Sequence, residues 1–130
     1  MKKSIRTFAL AFALAATPAC AQLALPNPFS AAQRAEQSAY AVLQTYAALV
    51  EEAADIVRDP ATPASIRRTI GAAEREATPV VEALSDALLA YNTARNGADA
   101  EAARLRLERA RIAAEPAVAA LAALVQTSQP

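Results

Sequence analysis

The chain has 130 residues, with 13 basic and 13 acidic side chains, one Met, one Cys, two Gly, and neither His nor Trp. That inventory excludes nucleophilic triads, ordinary zinc sites, Gly-rich phosphate loops and the usual axial ligands of haem. Without the three basic residues of its first segment the chain is expected to carry a formal charge of about −3, which disfavours nucleic acid as a partner, and an Ala content near three residues in ten points to closely packed helices.

Met1 to Ala21 has the order of a secretory signal peptide. Lys2, Lys3 and Arg6 make a basic start, Phe8 to Ala16 an apolar run, and Ala19-Cys20-Ala21 an A-x-A cleavage site, so the mature chain is expected to begin at Gln22. The apolar run is too short for a bilayer span, which needs about 20 residues. A second reading takes Thr17-Pro18-Ala19-Cys20 as a lipobox, with Cys20 acylated and holding the protein on a membrane; Thr17 and Pro18 match that motif poorly. Cleavage after Ala21 leaves ten basic against 13 acidic side chains and no Cys, so packing alone must hold the mature chain together. Export to the periplasm is the expectation, with a membrane-anchored lipoprotein as the alternative.

Residues 22–29 carry Pro26 and Pro28 and are expected to form an extended leader, because Pro biases the residue before it away from helix. The helical domain is expected over residues 30–126, followed by a disordered tail at 127–130. Ser30 with Gln33 reads as a capping box for the first helix. Ala39, Leu43, Tyr46, Val50, Ala53 and Val57 then repeat at spacings of four and three until Asp59-Pro60 ends the pattern.

A second helix is expected from Thr62 to Arg95, with Thr62 as cap, Pro63 at the first helical position, and Asn96-Gly97 as a left-handed stop. Its stripe is Ile66, Ile70, Ala73, Ala77, Val81, Leu84, Leu88 and Tyr91. Pro79 falls inside it, but the stripe keeps its register across the proline, which predicts one kinked helix rather than two. Asp99 is the expected cap of a third helix, with a seam at Ala103, Leu107, Ala110, Ala114, Ala117, Leu121 and Leu124 and an internal Pro116. Counted from Gly97, the two internal prolines are almost equidistant, so in an antiparallel hairpin they share one level. The predicted fold is all-α: an elongated antiparallel three-helix bundle with proline-kinked second and third helices.

Glu51, Glu52, Asp55 and Asp59 gather at the end of the first helix and are the only candidate ligands for a divalent cation, although their spacing matches no calcium loop. The competing expectation is a solvated face that pairs with Arg67 and Arg68 across the turn at Pro60. Arg104, Arg106, Arg109 and Arg111 are the densest basic run; Arg104 with Glu108 and Arg111 with Glu115 are expected i,i+4 pairs. Tyr46 and Tyr91 fall on seams, Tyr40 beside one. Leu105 and Ile112 stand seven residues apart, off the third seam, and make one stripe that faces a partner, a second copy, or the far side of the first helix.

The signal-like start, the Pro-bearing leader and the Ala-rich helices, with Ala39-Tyr40-Ala41-Val42-Leu43 and Ala113-Ala114-Glu115-Pro116-Ala117-Val118 as the characteristic runs, resemble small exported helical proteins of alphaproteobacteria and their prophages. The resemblance implies an accessory role, carries no motif for a catalytic or cofactor-binding residue, and implies no cofactor. The expected function is therefore a non-catalytic envelope or periplasmic interaction module, acting on an envelope protein or on itself. The alternative is a small-ligand or divalent-cation binder at the acidic end of the first helix.

Overall fold

The computed structural model describes residues 28–128, which form three α-helices: α1 (Pro28–Arg58), α2 (Ala64–Ala94) and α3 (Ala100–Thr127). The expected signal segment, its cleavage site at Ala19 and Ala21, the Cys20 lipobox and most of the leader lie outside the described residues. Among those described there is no strand, and no helix is long and apolar enough to cross a membrane. α2 and α3 share the widest contact and α1 packs on both, so the chain is an all-α bundle around one core.

That core follows from the apolar periods. Ile70, Ala77, Val81, Leu84, Leu88 and Tyr91 of α2 are buried, and Ile66 and Ala73 pack against them, so the whole predicted stripe faces inward. In α3 the buried set is Ala103, Leu107, Ala114, Val118, Leu121 and Val125, with Ala110 and Leu124 partly buried beside it. Val118 and Val125, absent from the predicted seam, lie one position past Ala117 and Leu124. They widen α3's inward face because this helix touches two neighbours. Ala39, Ala77 and Ala114 have no exposed surface; a side chain of one carbon there lets the helix backbones approach closely.

α1 departs most from its predicted seam. Ala39 and Ala53 are buried and Leu43, Tyr46 and Val50 partly buried, but Val57 is exposed, whereas Ala35 and Leu49 are buried and Val42 and Ile56 pack on the core. The stripe actually used is Ala35, Ala39, Val42, Tyr46, Leu49, Ala53 and Ile56, rotated from the predicted one. Both rows share Ala39, Tyr46 and Ala53 and keep four-three spacing; contact with α3 as well as α2 selects between them.

The helix ends also differ from expectation. α1 is already helical at Pro28, so Ser30 stands inside the helix and not at its cap; Pro suits a first turn because its missing N–H would be unpaired there anyway. Pro63, not Thr62, occupies the N-cap of α2, without a side-chain cap. In the connection before it, Asp59 Oδ1 accepts the Ala61 N–H at 2.8 Å. Asp99 is the N-cap of α3 as expected, yet its carboxylate makes no capping hydrogen bond. Thr127, assigned to the tail, is the last residue of α3.

Asn96-Gly97 forms no left-handed stop, since no described residue has positive φ. Instead the Gly97 N–H donates to Ala94 O at 2.8 Å and the Ala100 N–H to Gly97 O at 3.2 Å, so right-handed turns close the end of α2. A Cβ at position 97 would meet only Ala94 O, at an ordinary 3.5 Å. Gly97→Ala is therefore expected to raise stability by about 0.4–1 kcal/mol, through the smaller freedom of the unfolded chain, as read from thermal melts.

Pro79 and Pro116 lie inside uninterrupted helices, so neither divides its segment in two. The hydroxyls of Thr45, Thr69, Thr78, Thr93 and Thr127 each donate to the carbonyl four residues back, which satisfies a polar group that a helix interior otherwise leaves to solvent.

Candidate functional site

The acidic end of α1 does not assemble a cation site. Glu51, Asp55 and Asp59 are exposed and Glu52 half-buried, and among the described residues no three acidic, His or Cys side chains converge as metal ligands. Asp55 takes a local pair, meeting Arg58 of its own helix at 3.6 Å, and Arg68 Nε donates to Ala64 O at 3.3 Å. An i,i+3 pair on one helix needs no particular approach of α2, which is why it forms in preference.

α3 carries an ordered charge ladder. Arg104 bonds both oxygens of Glu101 at 2.9 and 2.7 Å rather than pairing with Glu108 as predicted. Glu108 is held instead by Arg111, which also bonds Glu115. The bound guanidinium keeps the carboxyl of Glu101 below its ordinary range, and Arg111 does the same for Glu108; the two arginines are correspondingly raised. Two members of the predicted basic run stand outside this ladder: among the described residues Arg106 and Arg109 pair with no carboxylate, and Arg109 Nε donates to Leu105 O at 3.3 Å.

Beside the ladder a groove of about 500 Å³ runs between Ser38, Ala41 and Thr45 of α1 and Val118, Ala119 and Ala122 of α3. Arg111 and Glu115 border it, and a smaller hollow of about 220 Å³ between Ala31, Arg34 and Ala35 of α1 and Arg104 and Glu108 of α3 continues along the same helix pair. Two of the groove's polar groups are engaged already: Arg111 by its two glutamates and the Thr45 hydroxyl by Ala41 O. Ser38 apart, the rest of its lining is aliphatic, from Ala41, Val42, Val118, Ala119 and Ala122. It presents no convergent set of polar groups of the type that orients a small ligand.

Leu105 and Ile112 are 46% and 56% exposed, so the burial of α3 does not extend to them and they do not lie under α1. They differ by only about 20° in helical phase, and Ala119, a further seven residues on, continues the row into the groove wall. Three further large apolar side chains are exposed: Leu89 at 69%, Tyr40 at 45% and Val57 at 36%. Leu89 was legible as an outward residue, since it follows the seam residue Leu88 by about 100° of helical phase.

A last polar feature sits near the other end of α2. Asn92 Oδ1 is buried with no hydrogen-bond partner among the described residues. On α2 also, Thr78 Oγ1 lies 2.8 Å from the Tyr46 hydroxyl of α1; because Thr78 donates its own hydrogen to Glu74 O, Tyr46 is the donor in that pair.

No family model matches the chain, and neither a curated protein nor a solved structure matches it at a significant level.

Proposed function

We propose that the chain is a non-catalytic, exported helical-bundle protein that serves as an interaction or accessory module of the periplasm or envelope. The observation that carries this reading is the exposed row of Leu105 and Ile112 beside an apolar groove. Two large aliphatic side chains in line on one helix flank, beside a charge ladder that is internally paired, form a surface suited to meeting another protein. The chemical inventory supports a non-catalytic role, and the basic, apolar and A-x-A order of residues 1–21 supports export.

The bundle is proposed to run up, down and up. Support comes from the order of contacts: Glu36 pairs with Arg95 at 3.9 Å whereas Tyr46, further along α1, pairs with Thr78, nearer the start of α2. Likewise Ile66 and Ile70, early in α2, border a hollow with Leu124, late in α3, while Tyr91 acts electrostatically on Arg104. With that register Pro79 and Pro116 stand at one level, and the bends they impose match. The freed carbonyls are those of Arg75 and Ile112.

Two experiments test this reading. Intact mass of the protein recovered from exporting cells is expected to correspond to a start at Gln22; a diacylglyceryl group on Cys20 would make it an envelope lipoprotein instead. Leu105→Ser combined with Ile112→Ser is expected to leave stability within about 0.5 kcal/mol, since both are surface positions. In exporting cells, chemical cross-linking is expected to give wild-type adducts that the double variant loses. Adducts of equal yield from both proteins would overturn the interaction reading.

A further inference from the structure

We infer that the partner of this face is a second copy of the chain, docked about a two-fold axis that passes near Glu115 and Pro116 of α3. The inference rests on the interaction reading of the Leu105 and Ile112 row and names its occupant.

The row Leu105, Ile112, Ala119 has constant seven-residue spacing, so it forms one line of contact that drifts by only about 20° per step. Its last two members differ in kind. Ile112 is a projecting side chain, 56% exposed, and Ala119 is a methyl group in the wall of the groove. A two-fold axis midway between them turns α3 against its copy in the opposite direction and sets Ile112 of each chain over Ala119 of the other. Knob meets hole twice, as an isologous contact requires: residue i touches j, and j touches i. Ala41 and Thr45 of α1, which line the same groove, complete the hole.

Charge on α1 agrees with that axis. Arg34 and Glu52 stand 18 residues apart, five whole turns, and so share a phase with opposite signs at the two ends of the face. Ala35 borders one hollow with Arg104 and Glu108, and Thr45 borders the other with Ala119 and Ala122, which sets the register of α1 on α3. In that register the midpoint of Arg34 and Glu52 falls within about one turn of the proposed axis. Inversion about the axis therefore brings each Arg34 toward the Glu52 of the other copy. Each of these side chains also interacts within its own chain, so the cross-pairs add to existing contacts. Arg111 and the Thr45 hydroxyl keep their own partners when the groove closes.

The mature chain as read from the sequence has no Cys, which permits a direct test. Ile112→Cys and Ala119→Cys are made separately in the chain beginning at Gln22, purified, and oxidised alone and as a mixture. Within one chain the two positions are about 10 Å apart along the helix, beyond the Cα separation a disulfide tolerates. The mixture is expected to give a disulfide-linked dimer holding one of each variant, while each variant alone gives at least tenfold less. Equal cross-linking of either variant by itself, or none in the mixture, overturns the proposed contact. Sedimentation equilibrium of the unmodified mature chain supplies the second measurement: its mass-average is expected to rise toward two copies with concentration, and Ala119→Leu, which fills the hole at an exposed position, to keep it at one. A chain that stays monomeric up to roughly millimolar concentration refutes the dimer. The cross-linking in exporting cells described above would then still decide whether the same face meets a different protein.

Discussion

Leu107→Ala is expected to lower the stability of the domain by about 2–5 kcal/mol, whereas Leu105→Ala, two positions away on the same helix, stays within about 0.5 kcal/mol. The residue type is the same; the environment is not. Leu107 has no exposed surface and belongs to the single core, while Leu105 is 46% exposed. Truncation at 107 removes methyl groups from contact with α1 or α2 side chains and leaves a cavity that long helices cannot close without shifting as rods. A chain with one Cys forms no disulfide within itself to compensate, and a small domain has only about 5–15 kcal/mol in total. The change therefore takes a large share of its stability. Urea unfolding followed by circular dichroism separates the two variants; equal effects at 105 and 107 would mean that α3 faces the core differently.

The second large effect concerns the prolines. In a straight helix, replacing an interior Pro by Ala restores one backbone hydrogen bond and is worth about 3 kcal/mol. Pro79 and Pro116 lie within continuous helices, and Pro116 is exposed, so the local gain should be available at both. On the proposed matched bends, however, Pro79→Ala would straighten α2 against a curved α3, and part of the gain would be lost to worse packing. Each single replacement is therefore expected to stabilise by less than about 3 kcal/mol, and the double replacement to exceed their sum by about 0.5–3 kcal/mol, the usual coupling of residues that share an interface. Additive single effects would show that the two helices do not bend together. The Thr78 hydroxyl, bonded to Glu74 O at 2.8 Å and receiving the Tyr46 hydroxyl, braces the turn just before Pro79. Thr78→Val in the same background should reduce the coupling if that brace sets the bend.

The Leu105 and Ile112 row and the α2 stripe could be picked out in the sequence for one reason: each repeats at helical spacing, and an α-helix turns spacing directly into facing. Leu89 was legible by the same rule. The predicted cation candidates illustrate the opposite case, since Glu51, Glu52, Asp55 and Asp59 are neighbours in the chain but are not convergent in space. Sequence proximity on one helix spreads side chains around it by about 100° each, so a cluster in the chain is seldom a cluster of ligands.

What the sequence determined by itself was the existence of three helices, their approximate bounds, and the inward faces of α2 and α3. Those depend on local periodicity and on where Pro interrupts it, and both are properties of residues a few positions apart. Only the tertiary structure decided which of two rows on α1 is buried, which carboxylate each arginine takes, and that no left-handed turn closes α2. On α1 the alternatives have nearly equal apolar content, and the choice falls to α3, a helix more than 40 residues further along the chain. Arg104 has a glutamate both three residues before and four after it, and Arg111 claims the second. At Gly97 the sequence permits either hand of turn, and the two five-residue connections of the bundle need only the right-handed one. On α1 and at Gly97 long-range packing chooses between two local solutions, whereas on α3 the choice falls to competition between neighbouring arginines.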